Sequence, residues 1–219
     1  MKTRLHAALV MTGALSAHPW IATADPVLDW NAILVRTVAS QNPFAQARFA
    51  AIMHLAVFEA VNAITRDNEP YLGTIASNRG ASSEAAAVAA AHTVLRAYFP
   101  DAGVSLDAAR VASLAGLPDG PAKVKGIAVG EAAAAAMIAA RSDDGSTPPQ
   151  FHVPESSDPG VWQPTPSCPP AGGVFLHWRN VTPFGIKSAR QITPSLRTFE
   201  KNGPPLLGLC RRSPAISFA

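Results

Sequence analysis

Charge is scarce in this chain: only 15 % of its 219 residues are Asp, Glu, Lys or Arg. With 48 % hydrophobic residues, that composition excludes disorder throughout. Much of the apolar share is alanine, which buries little surface per residue. The formal net charge is +3, and residues 197–219 account for it, with Arg197, Lys201, Arg211 and Arg212 against Glu200. The remainder is balanced, so no basic face for nucleic acid is expected. Cysteine is nearly absent. Cys168 and Cys210 could pair, but two thiols 42 positions apart exclude a disulfide-built scaffold. Also missing are a Gly-rich phosphate loop, a G-x-S-x-G elbow, an HExxH helix and paired-cysteine metal motifs.

The first 24 residues carry basic Lys2 and Arg4, an apolar run from Ala7 to about Ala17, and then Ala22-Thr23-Ala24. This is the layout of a signal peptide, and the run is too short to span a bilayer. The expectation is a secreted or periplasmic protein beginning at Asp25, with no membrane attachment after cleavage.

The mature chain reads as all-α: a bundle of about five helices over residues 25–146, followed by a proline-rich irregular arm. The first helix opens near "DPVLDWNAILVRT", with Asp29 as a candidate N-cap. The second starts at Pro43 and runs to about Ile64; it is apolar almost all round after Phe49, a pattern expected of a central helix. Ser82 should cap a third helix that stops at Pro100, with Glu84 at its positive end. A fourth is expected from about Ser105 to Ala115, closed by Gly116. The fifth opens at Pro121 and runs to Arg141. Its Gly126 and Gly130, four apart, form a narrow stripe for close backbone approach, and Glu131 favours a soluble bundle over lipid.

Residues 147–195 hold ten prolines, which forbid regular helix, and scattered aromatics that need a surface to pack on. We read them as an extended arm laid over the helices. Residues 196–219 follow neither a helical nor a strand pattern and are expected to be a divergent, disordered tail.

Several polar residues invite a chemical reading. Glu59, Asn62 and Arg66 share one face of the second helix, where a buried polar stripe that fixes packing is the simpler explanation. His54 lies five residues before Glu59, on another face, which makes a shared metal geometrically poor. His92 sits mid-helix and is expected to be a packed or half-exposed residue. His152 and His177 lie in the arm with no partner evident in the sequence. The "SDDGS" stretch at 142–146 lacks the further oxygen ligands of a calcium loop and suits a helix C-terminal turn.

Taken in order, "DPVLDWNAI", "AIMHLAVFEAVNAI", "ASSEAAAVAAAHTVL", "LPDGPAKVKGIAVGEAAAAAMIAAR", "DPGVWQPTP" and "WRNVTPFGIKSARQ" resemble the N-terminal half of bacterial vanadium-dependent haloperoxidase-like proteins. These belong to the type 2 phosphatidic acid phosphatase superfamily, and the resemblance covers about Asp25 to Thr193. It implies an all-α fold. For an intact member it also implies a vanadate cofactor used in peroxide-dependent halide oxidation, an oxidoreductase peroxidase reaction, or the phosphoester hydrolysis of the acid phosphatase relatives. The family holds its oxyanion with Lys-x6-Arg-Pro, Pro-Ser-Gly-His and Ser-Arg-x5-His. Here Lys187 is followed seven residues on by Pro194 in place of arginine, and no Ser-Gly-His occurs. Arg48 and His54 have the separation of the third motif, but Ala47 replaces its serine, Ile52 its glycine, and the helix is the wrong one. No catalytic, cofactor-binding or metal residue can therefore be assigned.

The expectation is an N-terminal fragment, truncated or frame-shifted after about Ser195, without its own vanadate and inactive alone. Its partners would be the missing C-terminal half or a second copy. The alternative is a non-catalytic secreted scaffold or binding module.

Overall fold

The computed structural model describes residues 25–165, 172–187 and 191. The expected leader 1–24, Cys168 and Cys210, Pro194 and the expected tail 196–219 lie outside the described residues. Five α-helices make up the body: α1 (Pro26–Thr37), α2 (Pro43–Thr65), α3 (Ser83–Tyr98), α4 (Gly103–Ala115) and α5 (Pro121–Ala140). Among the described residues no strand forms, so the chain is an all-α bundle.

Local chemistry sets the helix starts. Asp25, not Asp29, caps α1: its side chain accepts from the Val27 amide at 2.8 Å, and Pro26 takes the first helical position. Asp29 instead lies in the first turn, where a carboxylate suits the positive end of the helix. Asn42 caps α2 through the Ala45 amide at 3.0 Å, again just before a proline. Ser82 caps α3 through the Ala85 amide at 3.1 Å. Pro100 ends α3 and opens a single 3-10 turn, Pro100–Ala102, which runs directly into α4; that helix accordingly starts at Gly103, earlier than its sequence suggested.

The most enclosed helix is α3 rather than α2. Every residue from Ala85 to His92 is buried, and α3 packs against each of the other four helices. Alanine explains this, because a helix without bulky side chains lets neighbours approach on every side. The nearest neighbour is α5, whose Gly126 and Gly130 lie against α3. A Cβ on Gly130 would collide with the Ala86 carbonyl oxygen and come within 2.9 Å of Ala89 Cβ and the Ala90 nitrogen. On Gly126 it would collide with the Ser82 carbonyl and lie 3.0 Å from Ala85 Cβ. Larger side chains fill the remaining space, chiefly Trp30, Leu34, Ile52, Met53, Leu95, Leu106 and Met137.

Among the described residues α2 is the one helix long and apolar enough to cross a membrane, although half of that stretch is buried within the bundle. It also carries buried Arg48, Glu59 and Asn62, each with a protein partner.

Among the described residues beyond α5 the chain is irregular. Its two limbs touch at His152 and Gly173, whose amides and carbonyls exchange hydrogen bonds at 2.7 and 2.8 Å. Gly172 has φ +93°, and a Cβ there would strike the His152 carbonyl, so glycine is required for the limbs to meet. A 3-10 turn at Leu176–Asn180 then places Phe175 and Trp178 on Phe44 of α2, with ring centroids 4.7 and 5.4 Å apart.

Candidate functional site

The densest polar cluster lies where the arm leaves the bundle. Arg48 projects from the second turn of α2 and donates from Nε to Asp144 Oδ2 at 2.8 Å and from Nη2 to the Arg141 carbonyl at 3.0 Å. Both side chains are buried, Asp144 at 1 % exposure. Asp144 Oδ1 accepts from the Ser146 amide at 3.1 Å, and its backbone carbonyl accepts from the Thr182 amide at 2.8 Å. Burial alone would raise the Asp144 carboxyl. Hydrogen bonds from Arg48 and Ser146 outweigh that effect and hold it below the ordinary aspartate range.

Arg141 continues the cluster. Its guanidinium donates to the Thr182 carbonyl at 2.7 Å, the Pro183 carbonyl at 3.2 Å and the Tyr71 hydroxyl at 3.1 Å. It also lies 3.5 Å over the Phe184 ring, a cation–π contact. Two buried arginines and one aspartate thus clamp the returning arm to α2 and to the end of α5. The "SDDGS" turn supplies the anion of this clamp.

Two clefts flank it. One, of about 270 Å³, includes Phe49, Gln150, Phe175 and His177 in its walls; the other, of about 530 Å³, includes Phe44, Arg48, Trp178 and Phe184. His177 is buried, and its Nδ1 accepts from the Gln150 amide at 3.1 Å, which leaves Nε2 as the protonated nitrogen of the neutral ring. His152 is half-buried with its ring edge-on to Trp162 at 5.5 Å.

A second network surrounds His92. Its Nε2 donates to Asp107 Oδ1 at 2.7 Å, while Arg110 Nη1 donates to Nδ1 at 3.2 Å. Arg110 also donates to Glu131 at 2.6 Å, so the network ties α3 to α4 and α5. The hydrogen bond from His92 is the main cause holding the Asp107 carboxyl below its ordinary value. In the sequence His92 stands alone, since its partners are 15 and 18 positions further on.

The polar stripe of α2 has a local use. Asn62 bonds both the amide and the carbonyl of Asn68, at 2.9 and 2.8 Å, and Glu59 accepts from the Tyr71 amide. Arg66, at φ +61°, is the left-handed cap of the helix and is exposed. His54 hydrogen-bonds Asn31 Oδ1 at 3.0 Å, and burial lowers its pKa.

Vanadate would need several cationic donors converging with a histidine on one space. The described residues do not fit it: Arg48, Arg110 and Arg141 all donate to protein acceptors, and His54 pairs with Asn31. Nor do any three His, Cys, Asp or Glu among the described residues converge as metal ligands.

Fold and clamp define the chain as an all-α bundle with an irregular arm pinned to it by buried arginines. No protein-family model, curated protein or solved structure matches it.

Proposed function

We propose that this chain is an exported, non-catalytic helical scaffold, the counterpart of the N-terminal helical portion of vanadium-dependent haloperoxidase-like proteins. The reading rests on one observation above the rest: the buried arginines are committed to holding the arm. Arg48 is spent on Asp144, and Arg141 on backbone carbonyls and Tyr71, so neither guanidinium is free for an oxyanion. The motif comparison supports the same reading, because none of the family's oxyanion ligands has a counterpart in the sequence. Export follows from the leader at residues 1–24.

The test is an activity assay on the purified chain. With vanadate, hydrogen peroxide and bromide, no halogenation above the protein-free rate is expected. Without vanadate, no hydrolysis of a phosphomonoester is expected. Turnover in either assay, abolished by Arg48→Ala, would overturn the proposal.

A second reading, a binding module, draws on Phe44 and Phe151, which are 45 % and 46 % exposed and help wall the clefts beside the clamp. A monomer that unfolds cooperatively would favour a self-contained scaffold or module over a fragment, and a sticky, loosely packed chain would favour the fragment.

A further inference from the structure

We propose that the pocket at the C-terminal end of α2 binds a small zwitterion of the α-amino-acid class, its ammonium held at Glu59 and its carboxylate at Arg66. The cavity measures about 280 Å³ and lies between the last turns of α2 and the loop that returns past it. Its wall includes neither clamp arginine nor Asp144, although Tyr71 touches both sites, its amide bonding Glu59 and its hydroxyl accepting from Arg141; the proposal holds whether or not the scaffold reading does.

The inner wall carries the negative charge. Glu59 is 2 % exposed, yet among the described residues its one hydrogen bond comes from the Tyr71 amide through Oε1, and no ion pair includes it. A carboxylate has about four acceptor sites, and no polar side-chain atom among the described residues is both buried and unpartnered, so Oε2, which the Tyr71 amide does not use, is open at the cavity. It faces a cavity, so a donor can reach it. The carbonyl end of α2 lies at the same place and adds negative potential. A cation is the chemical complement of this wall, and an ammonium carries three donors for it.

The rim carries the opposite sign. Arg66 is the one cationic residue in the cavity wall, it is exposed, and its guanidinium makes no ion pair among the described residues. A guanidinium presents a fork suited to a carboxylate. Asn62 is held by Asn68 through one N–H and one acceptor site, and so serves as fixed wall. A carboxylate inside and a guanidinium outside select a dipolar ligand over a simple amine or a simple acid. At about 30 Å³ per water-sized group, the space admits roughly nine such groups, enough for a small or medium amino acid. A metal ion is the poorer fit, since Glu59 is the one acidic residue of the wall.

The experiment is isothermal titration of the full chain with glycine, alanine, valine and leucine, with methylamine and acetate as half-ligands. Saturable binding of at least one amino acid is expected, with both half-ligands weaker by about tenfold or more. Glu59→Gln keeps an acceptor for the Tyr71 amide but removes the charge, and should weaken binding by about 10- to 100-fold. Arg66→Gln should weaken it by about tenfold, and Arg66→Lys should restore part of the loss. Should Glu59→Gln fail to fold, amide shifts in the wild-type chain decide: supporting perturbations centre on Asn62, Arg66, Asn68 and Ser77. No saturable binding by any of the four amino acids, equal binding by wild type and a folded Glu59→Gln, or shifts centred elsewhere would each overturn the proposal.

Discussion

Replacing Gly130 with alanine tests the closest contact in the bundle. In an exposed helix interior this change would stabilise by about 1 kcal/mol, since alanine is the better helix former. Here the added methyl meets the Ala86 carbonyl, Ala89 Cβ at 2.9 Å and the Ala90 nitrogen at 2.9 Å. Two of those three atoms are backbone, so no rotamer change can relieve the contact, and α5 must move away from α3. Overpacking typically costs about 1–3 kcal/mol, and a rigid backbone wall places this case at the upper end. The net expectation is a loss of about 2 kcal/mol, or a fall of about 4–8 °C in Tm for a chain of this size. Gly116→Ala is the control: the glycine has φ −74°, and its added methyl would meet nothing closer than a backbone oxygen at 3.7 Å. That variant should be neutral or stabilised by up to about 1 kcal/mol. Thermal unfolding followed by circular dichroism reads both. A Gly130→Ala chain that gains stability as Gly116→Ala does would refute the close α3–α5 approach.

Other perturbations address the clamp. Arg48→Ala leaves Asp144 buried without its cation and should cost about 3–5 kcal/mol in urea unfolding. The joint replacement Arg48→Met with Asp144→Leu should cost clearly less, because no charge is then stranded. The single variant should also expose residues 147–165 to limited proteolysis, read by mass spectrometry. Acid should loosen the same clamp. Asp144 is depressed in the folded chain, so its contribution is complete above the unfolded aspartate value and is lost as pH falls through the lower folded one. Asp107, held down first by the hydrogen bond from His92, acts with the same sign. Asp144→Asn should therefore flatten the acid limb of a stability–pH profile, and an unchanged limb would contradict the assignment.

What was legible in the sequence was local. Ser82 with Glu84 two places on, and Pro43 and Pro121 at first helical positions, are signals contained within one turn, and the helices begin there. Gly126 and Gly130 announced a close approach because nothing else explains two glycines four apart in an alanine helix. Asp29 as a candidate cap overlooks Pro26, which fixes the cap one residue before it, at Asp25. Ranking α2 as central weighed hydrophobicity, whereas enclosure follows from small side chains, which α3 has in excess. The clamp was illegible for a different reason. Arg48 and Asp144 stand 96 positions apart, and the pairing of a buried arginine with one of two adjacent aspartates is decided only by the path of the arm. The stripe Glu59, Asn62, Arg66 could be recognised as a polar face, but the loop it serves, through Asn68 and Tyr71, could not.

The most direct measurement is a vanadate titration of the purified chain, followed by vanadium-51 nuclear magnetic resonance. With Arg48 and Arg141 committed to the arm, the free vanadate signal should persist undiminished, with no bound resonance. A bound resonance saturating at micromolar vanadate, and lost on Arg48→Ala, would contradict the non-catalytic scaffold outright.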